Sequence, residues 1–229
     1  MQGAPDPIPS RPAERLDVRI EFPGIRAVIA VTGATSNVGK TRTCEESIRA
    51  LVSAGHRVAA LKVTRAHLGD ACPRGVSACG TCTSLDEPFR IVTDPAILAT
   101  PKKDTARYLE AGAHRVMWLL VRPSAMRVGI IAALSQLEPG VILVAEGNSF
   151  RDFASADVTL MAWSRRFPAK SSALAILDRL DGCVERPDLA SLNNGTEFRS
   201  PNLSVPQVPP DEIGAFVLKH VASRLIARP

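Results

Sequence analysis

A short apolar run that leads directly into a loop ending in Gly-Lys-Thr is the feature that most constrains this chain. Residues 28–31 are apolar and mostly β-branched, as expected for a strand covered on both faces. The loop starts at Gly33 and ends at Thr41, where a helical pattern begins. This order predicts a phosphate-binding loop, because glycines let backbone N–H groups surround phosphate oxygens and a helix N-terminus favours negative charge.

Two side chains at the end of this loop would carry its chemistry. We expect Lys40 to reach the β- and γ-phosphates of a nucleoside triphosphate, and the Thr41 hydroxyl to ligate Mg²⁺. Gly33 lies one residue further from Gly39 than the usual spacing allows, and an ordinary strand–turn–helix with a coincidental Gly-Lys-Thr is the alternative. The predicted nucleotide-binding residues are Gly33, Ala34, Thr35, Ser36, Asn37, Val38, Gly39, Lys40 and Thr41.

Apolar strand patterns alternate with helical patterns along the rest of the chain. The predicted strands cover residues 26–32, 57–63, 88–94, 115–121, 141–145, 157–163 and 182–184, and the predicted helices cover 39–54, 102–112, 124–137, 171–180 and 211–228. Continuous apolar strands that alternate with helices are typical of a parallel sheet covered on both faces. We therefore predict an α/β fold of the P-loop NTPase type, with a mostly parallel sheet and helices on both faces.

The domain organisation is predicted from length and composition. A length of 229 residues fits one domain. Residues 1–22 are predicted to form a disordered leader, since the first fifteen contain four prolines and no apolar run. Residues 23–229 are predicted to form a single domain with a cysteine-rich loop over 64–87, an irregular segment over 186–210 and a C-terminal helix over 211–228.

The charge and hydropathy of the chain indicate which classes of molecule it can bind. The net charge is +5, the basic residues are spread along the chain, and few aromatic residues accompany them, which argues against a nucleic-acid surface. No apolar segment reaches the roughly 18 residues that a membrane span needs. Five cysteines without an export signal indicate a reducing cytoplasm. We expect a cytoplasmic protein that binds an anionic nucleotide and neither a membrane nor nucleic acid.

Residues that follow the strands are candidates for chemistry, because ligands of open parallel sheets bind beyond the carboxyl ends of the strands. Glu146 ends an apolar strand and precedes a glycine, so it could present an acidic group to Mg²⁺. Its alternative is a solvated carboxylate. Lys62 stands in an apolar strand and needs an anionic partner if it is buried; its alternative is an edge lysine whose ammonium reaches water. Asp157, at the start of the sixth strand, is a further candidate.

After the phosphate loop, the most specific sequence motif is formed by three cysteines. Cys72, Cys79 and Cys82 lie within eleven residues, with the last two spaced as Cys-x-x-Cys. Such spacing can hold Zn²⁺ or an iron–sulfur cluster, with His67 as the nearest fourth ligand. Three unligated cysteines, or a ligand supplied by a partner chain, are the alternatives. Cys44 and Cys183 are both predicted to lie in the core.

The order of these motifs resembles a known family. The phosphate loop is followed by Lys62 in the second strand, by Lys-Lys-Asp-Thr at 102–105 leading into Ala-Gly-Ala at 111–113, and by Glu146 with its glycine. This order resembles that of the molybdopterin-guanine dinucleotide biosynthesis protein B family over about residues 26–162. The longer form of the loop resembles that of dethiobiotin synthetases.

The resemblance implies a site and a role. It places Asp104 and Glu146 near the metal and the γ-phosphate, with Lys40 and Lys62 completing the predicted catalytic set. It implies a Mg²⁺-dependent GTPase or ATPase that assists molybdenum cofactor assembly with a partner protein, and a homodimer. The alternatives are an ATP-dependent ligase or small-molecule kinase similar to dethiobiotin synthetase, and a nucleotide-switched metal accessory protein that uses the cysteine loop. The choice between GTP and ATP stays open, since no Asn-Lys-x-Asp motif is evident.

Overall fold

A mostly parallel sheet forms the centre of the protein. The computed structural model describes Ile20 and residues 22–66, 85–186 and 204–227, and seven strands within these ranges form one sheet. The strands are β1 (Ala27–Gly33), β2 (Val58–Arg65), β3 (Phe89–Val92), β4 (Arg115–Val121), β5 (Ile142–Glu146), β6 (Val158–Trp163) and β7 (Gly182–Glu185). Their spatial order is β3-β4-β2-β5-β1-β6-β7, with β3 antiparallel to β4 and the other pairings parallel.

Helices cover both faces of this sheet. The helices in the described ranges are α1 (Lys40–Ser53), α2 (Pro95–Leu98), α3 (Asp104–Glu110), α4 (Met126–Leu134), α5 (Asn148–Phe153), α6 (Ser171–Leu174) and α7 (Ile213–Ala227). Alternate residues of β1 face opposite sides. Ile29 belongs to the apolar cluster that contains residues of α1, α3 and α7, and Ala30 belongs to the cluster that contains residues of α4 and α5. β1 is buried along its whole length, and burial on both faces explains the apolar run over residues 27–31. The predicted α/β class is confirmed.

The register places the ends of the central strands together. Val31 of β1 lies opposite Glu146 of β5, and Gly33 lies opposite Ala162 of β6. Because parallel strands end at the same edge of a sheet, the loop after β1 and the acidic end of β5 lie side by side. This edge is where the candidate site is built.

Several element boundaries differ from the prediction. The sequence did not predict α2 or α5, and β2 runs two residues further than expected, to Arg65. The prediction of a helix over 171–180 is wrong beyond Leu174, because Ile176 leaves the helical conformation. Its side chain belongs to the apolar cluster that also contains Trp163. Gln207, in the segment predicted to be irregular, instead forms a β-bridge with Cys183.

The prediction of a disordered leader over residues 1–22 also needs a correction. Ile20 lies within the range predicted to be a disordered leader, yet it is buried and forms a β-bridge with Ala154. Its backbone N–H donates to the Phe153 carbonyl at 3.1 Å. The prediction is wrong for this residue because its side chain joins the apolar cluster under α4 and α5.

None of the helices in the described ranges combines the length and apolar composition that crossing a membrane requires.

Candidate functional site

The phosphate loop occupies the position that the sequence predicted, between β1 and α1. Its tight path places Asn37 in the left-handed region, with φ of 58°. The Lys40 side chain folds back over the loop, and its ammonium donates to the Thr35 carbonyl at 3.2 Å. A positive charge therefore lies over the loop beside the start of α1, where backbone N–H groups also favour an anion.

The hydroxyl of Thr41 brings two distant carboxylates together. It lies 2.9 Å from Asp104 Oδ1 at the start of α3, and 3.1 Å from Glu146 Oε2 at the end of β5. One hydroxyl carries one proton and can donate to only one of them at a time. Hydroxyl and carboxylate oxygens are the ligands that Mg²⁺ prefers, so the side chains of Thr41, Asp104 and Glu146 fit a magnesium ion beside the loop.

Lys62 balances the two carboxylates. Its ammonium forms an ion pair with Asp104 and lies 3.6 Å from Glu146 Oε1. The alternative of an edge lysine reaching water is wrong, because β2 is an interior strand between β4 and β5 and the side chain is only 19% exposed. The sequence required an anionic partner for a buried Lys62, and the fold supplies two.

Glu146 is buried, and its pKa is nevertheless below the ordinary value. Burial raises the pKa of this carboxyl, but the charges of Lys62 and Lys40 and the hydrogen bonds from Tyr108 and Thr41 together outweigh burial. Tyr108 of α3 donates its hydroxyl to Glu146 Oε2. Burial, with added contributions from Cys44 and Glu146, raises the pKa of Tyr108 well above its ordinary value, so the phenol keeps the proton that it donates.

Asn148 joins the end of β5 to the start of the loop. Its Oδ1 accepts from the Gly33 N–H at 2.9 Å, and its Nδ2 donates to the Gly33 carbonyl at 3.0 Å. Nδ2 also lies 3.3 Å from the hydroxyl of Ser172 in α6. Sequence reasoning missed both Tyr108 and Asn148. For Asn148 a signal existed, since a polar residue follows Glu146 and a glycine at the carboxyl edge of the sheet.

Asp157 does not belong to the site. Its Oδ2 accepts from the Val28 N–H at 2.8 Å, and its own N–H donates to the Val28 carbonyl. Asp157 precedes β6, and parallel strands begin at the edge opposite to the one where they end. It therefore stabilises the pairing of β1 with β6 far from the loop.

The position of the phosphate loop in the sheet identifies the type of fold. A phosphate loop links the central strand β1 to α1 at the carboxyl edge of a mostly parallel sheet, and helices cover both faces of that sheet. The fold is that of a P-loop NTPase.

Among known proteins, similarity was found to solved structures only. No family model matches the chain, and no curated protein matches it. Among solved structures, the chain is similar to a MobB protein homolog from Bacillus stearothermophilus, with 16% identity, a TM-score of 0.41, and coverage of 86% of this chain and 98% of that one. It is also similar to a chain of the MinC:MinD cell division protein complex of Aquifex aeolicus, with 16% identity, a TM-score of 0.40, and coverage of 89% and 96%.

The predicted metal ligands of the cysteine segment, Cys72, Cys79, Cys82 and His67, lie outside the described residues of this P-loop NTPase fold. Residues on either side of that segment are held at the carboxyl edge. Ala66 donates its N–H to the Val121 carbonyl at 2.8 Å, and Arg122 donates to the Leu85 carbonyl at 2.9 Å. Within the described ranges, no group of three or more His, Cys, Asp or Glu is arranged to hold a metal ion. Cys44 and Cys183 are buried, as predicted.

Proposed function

We propose that this chain is a Mg²⁺-dependent nucleoside triphosphatase that binds GTP or ATP at the phosphate loop. One observation carries the proposal: the loop hydroxyl of Thr41 faces the carboxylates of Asp104 and Glu146, which come from different elements. Two carboxylates gathered around one loop hydroxyl form an acidic group where a triphosphate would need its metal ion. A strand–turn–helix of purely structural role has no need of this group.

Each residue then has a distinct role. Lys40 would contact the β- and γ-phosphate oxygens, and Thr41, Asp104 and Glu146 would hold Mg²⁺. This ion would supply positive charge beside the phosphate oxygens. Lys62 orients both carboxylates, and Tyr108 orients Glu146 through its hydrogen bond. Glu146 also accepts a hydrogen bond from the attacking water, so catalysis rests on positioning and charge stabilisation.

The role of Lys40 is tested by nucleotide titration. Calorimetry with GTP and with ATP, each in MgCl₂ and in EDTA, should show binding by the unmodified chain that weakens at least about tenfold in Lys40→Ala. Lys219→Ala, which removes an exposed lysine of α7, is the control and should bind normally. Undiminished binding by Lys40→Ala would contradict the proposal, and comparing the two nucleotides identifies the base.

The role of Thr41 is tested by a matched pair. Thr41→Ser keeps the hydroxyl and should keep the dependence of affinity on Mg²⁺. Thr41→Val has nearly the same shape without the hydroxyl, and its nucleotide affinity should be similar in MgCl₂ and EDTA. A full Mg²⁺ effect in Thr41→Val would exclude this residue as a metal ligand.

We further propose that the protein acts in the cytoplasm, as a homodimer with a partner protein, in the assembly of molybdopterin guanine dinucleotide. The support is the order of motifs from the loop through Lys62 and Asp104 to Glu146. The test compares formation of the dinucleotide in cells with and without the gene. Formation that does not depend on the gene would contradict this role, and sedimentation would measure the oligomeric state.

A ligase or small-molecule kinase is the second candidate. The ammonium of Lys62 lies between Asp104 and Glu146, where it could also stabilise a phosphorylated substrate. Nucleotide turnover that requires one added metabolite would favour this candidate, and turnover without any metabolite would favour hydrolysis.

A third candidate is a metal accessory protein that uses Cys72, Cys79 and Cys82. The observation that favours it is that Ala66 and Leu85, which flank the cysteine segment, belong to one buried cluster. Elemental analysis and an absorption spectrum of protein purified without oxygen test it. Stoichiometric zinc or iron that disappears in Cys79→Ser would support it, and no metal in the unmodified protein would contradict it.

A further inference from the structure

A buried arginine lies against the end of the phosphate loop, and no sequence motif pointed to it. Arg186 follows β7 and is only 1% exposed. Its backbone N–H donates to the Trp163 carbonyl at 2.8 Å, which fixes the residue to the end of β6. Its guanidinium makes a two-point contact with Glu46 of α1, with Nη2 to Oε2 at 2.5 Å and Nη1 to Oε1 at 3.4 Å.

The stem of Arg186 fills the space beside Gly39, the last loop residue before α1. A Cβ at Gly39 would lie 2.9 Å from Arg186 Cγ, closer than side-chain carbons pack. Gly39 also has a φ of 90°, in the left-handed region. The backbone of the loop and the arginine stem are therefore in direct contact, with no side chain between them.

A directed chain of hydrogen bonds runs from the guanidinium to the loop. Nη2 of Arg186 donates to Thr43 Oγ1 at 3.0 Å, and Thr43 Oγ1 donates to the Gly39 carbonyl at 3.2 Å. An arginine can only donate, so the Thr43 hydroxyl accepts from it and is left to use its proton on Gly39. The direction of this series of hydrogen bonds is fixed because the arginine at one end can only donate and the carbonyl at the other end can only accept.

The Gly39 carbonyl accepts two hydrogen bonds from Thr43, one from the backbone N–H at 3.0 Å and one from the hydroxyl, and holding this carbonyl also orients a donor of the loop. The carbonyl of Gly39 and the N–H of Lys40 belong to one planar trans peptide, so the two groups point in opposite directions. A carbonyl fixed towards Thr43 directs the Lys40 N–H away from it, at the N-terminus of α1 where anions bind. We propose that Arg186 is a positioning residue that acts through Thr43 and Gly39 to fix the backbone N–H of Lys40 for a nucleotide phosphate. This inference rests on the nucleotide binding proposed above.

The difficulty is to separate positioning from stability, because removing one partner of a buried ion pair leaves the other unpaired. Replacing both partners by apolar residues of similar size is often neutral for stability. The main variant is therefore Glu46→Met with Arg186→Met. The control is Arg165→Met with Glu185→Gln, which removes a nearby pair with a 2.7 Å contact outside the loop.

Two measurements are made on each variant: the free energy of unfolding in urea, and the dissociation constant of a fluorescent GTP or ATP analogue in MgCl₂. We expect the Glu46→Met, Arg186→Met variant to unfold like the unmodified chain but to bind about tenfold more weakly, since small displacements of positioned groups have effects of this size or larger. The control variant should bind normally. Normal binding by the variant lacking Glu46 and Arg186 would overturn the inference.

Thr43→Val is a second variant that leaves Arg186 and Glu46 in place. It interrupts the same chain of hydrogen bonds and should weaken binding by a similar factor. Adding Thr43→Val to the Glu46→Met, Arg186→Met variant should cause no further loss, because residues that act through one route are not additive. Fully additive losses would overturn the inference. Failure of the unmodified chain to bind either nucleotide would overturn the proposed function itself.

Discussion

The side-chain amide of Asn148 pairs with both backbone groups of Gly33 across 115 residues of sequence. The contact joins the residue two places after Glu146 to the first residue of the phosphate loop. A side-chain amide can satisfy an N–H and a carbonyl at once because it carries both a donor and an acceptor. The acidic end of β5 and the loop are thereby fixed to each other.

Asn148→Ala should lower the free energy of unfolding by about 2 to 4 kcal/mol, since it leaves a buried N–H and a buried carbonyl of Gly33 unpaired. Urea unfolding measures the change. Ser172→Ala is the control, because it removes only the 3.3 Å contact to Nδ2, and it should cost less than about 1 kcal/mol. A change within about 0.5 kcal/mol for Asn148→Ala would show that water replaces the lost contacts.

Lys62→Met should make the protein less stable and more responsive to Mg²⁺. Removing the ammonium leaves Asp104 and Glu146 facing each other without the cation that contacts both, and the loss should be about 2 kcal/mol for this partly buried group. A divalent cation can replace the lost charge. Thermal unfolding in MgCl₂, compared with NaCl of equal ionic strength, should show a larger stabilisation by Mg²⁺ in Lys62→Met than in the unmodified chain. Equal responses would contradict this account, and Lys219→Met serves as the control.

Gly147→Ala should be more damaging than Gly55→Ala, although both glycines have positive φ. A Cβ at Gly147, where φ is 140°, would lie 3.1 Å from the Val63 carbonyl oxygen, whereas nothing lies within 4 Å at Gly55. We expect a loss of about 1 kcal/mol at Gly55 and about 3 kcal/mol at Gly147, whose conformation is nearly exclusive to glycine. Urea unfolding of the two variants side by side measures the difference. Equal losses would mean that the β5 end shifts to accept the methyl group.

Cys44 and Cys183 should be unreactive in the folded protein. Both are at most 1% exposed. Burial, together with the charge of Glu146, raises the pKa of the Cys44 thiol well above its ordinary value. A raised pKa means a smaller thiolate fraction than an unfolded cysteine has at the same pH, so raising the pH to about 8.5 should not produce rapid labelling.

The measurement counts maleimide adducts by mass spectrometry in a variant with Cys72, Cys79 and Cys82 changed to Ser. No adduct is expected under native conditions and two are expected in denaturant. Rapid native labelling of Cys44 would show that α1 opens readily from the sheet.

The sequence by itself determined the features that depend on local spacing. The apolar run before Gly33 and the helical pattern after Thr41 placed the phosphate loop between a strand and a helix, because backbone conformation and one-sided burial leave a periodic pattern in neighbouring residues. Glu146 was also predicted as a candidate, since it ends an apolar strand and precedes a glycine at the edge where ligands of parallel sheets bind.

Only the tertiary structure decided which distant groups meet at the loop. Tyr108 and Glu146 are 38 residues apart, and Arg186 and Thr43 are 143 apart. Their contacts depend on the order and register of the strands, and apolar patterns of similar strands are compatible with many orders. Tyr108, Asn148 and Arg186 left no periodic signal because each acts as a single side chain. Their roles come from the carboxyl edge of the sheet, which exists only once β1, β5, β6 and β7 have been assembled side by side.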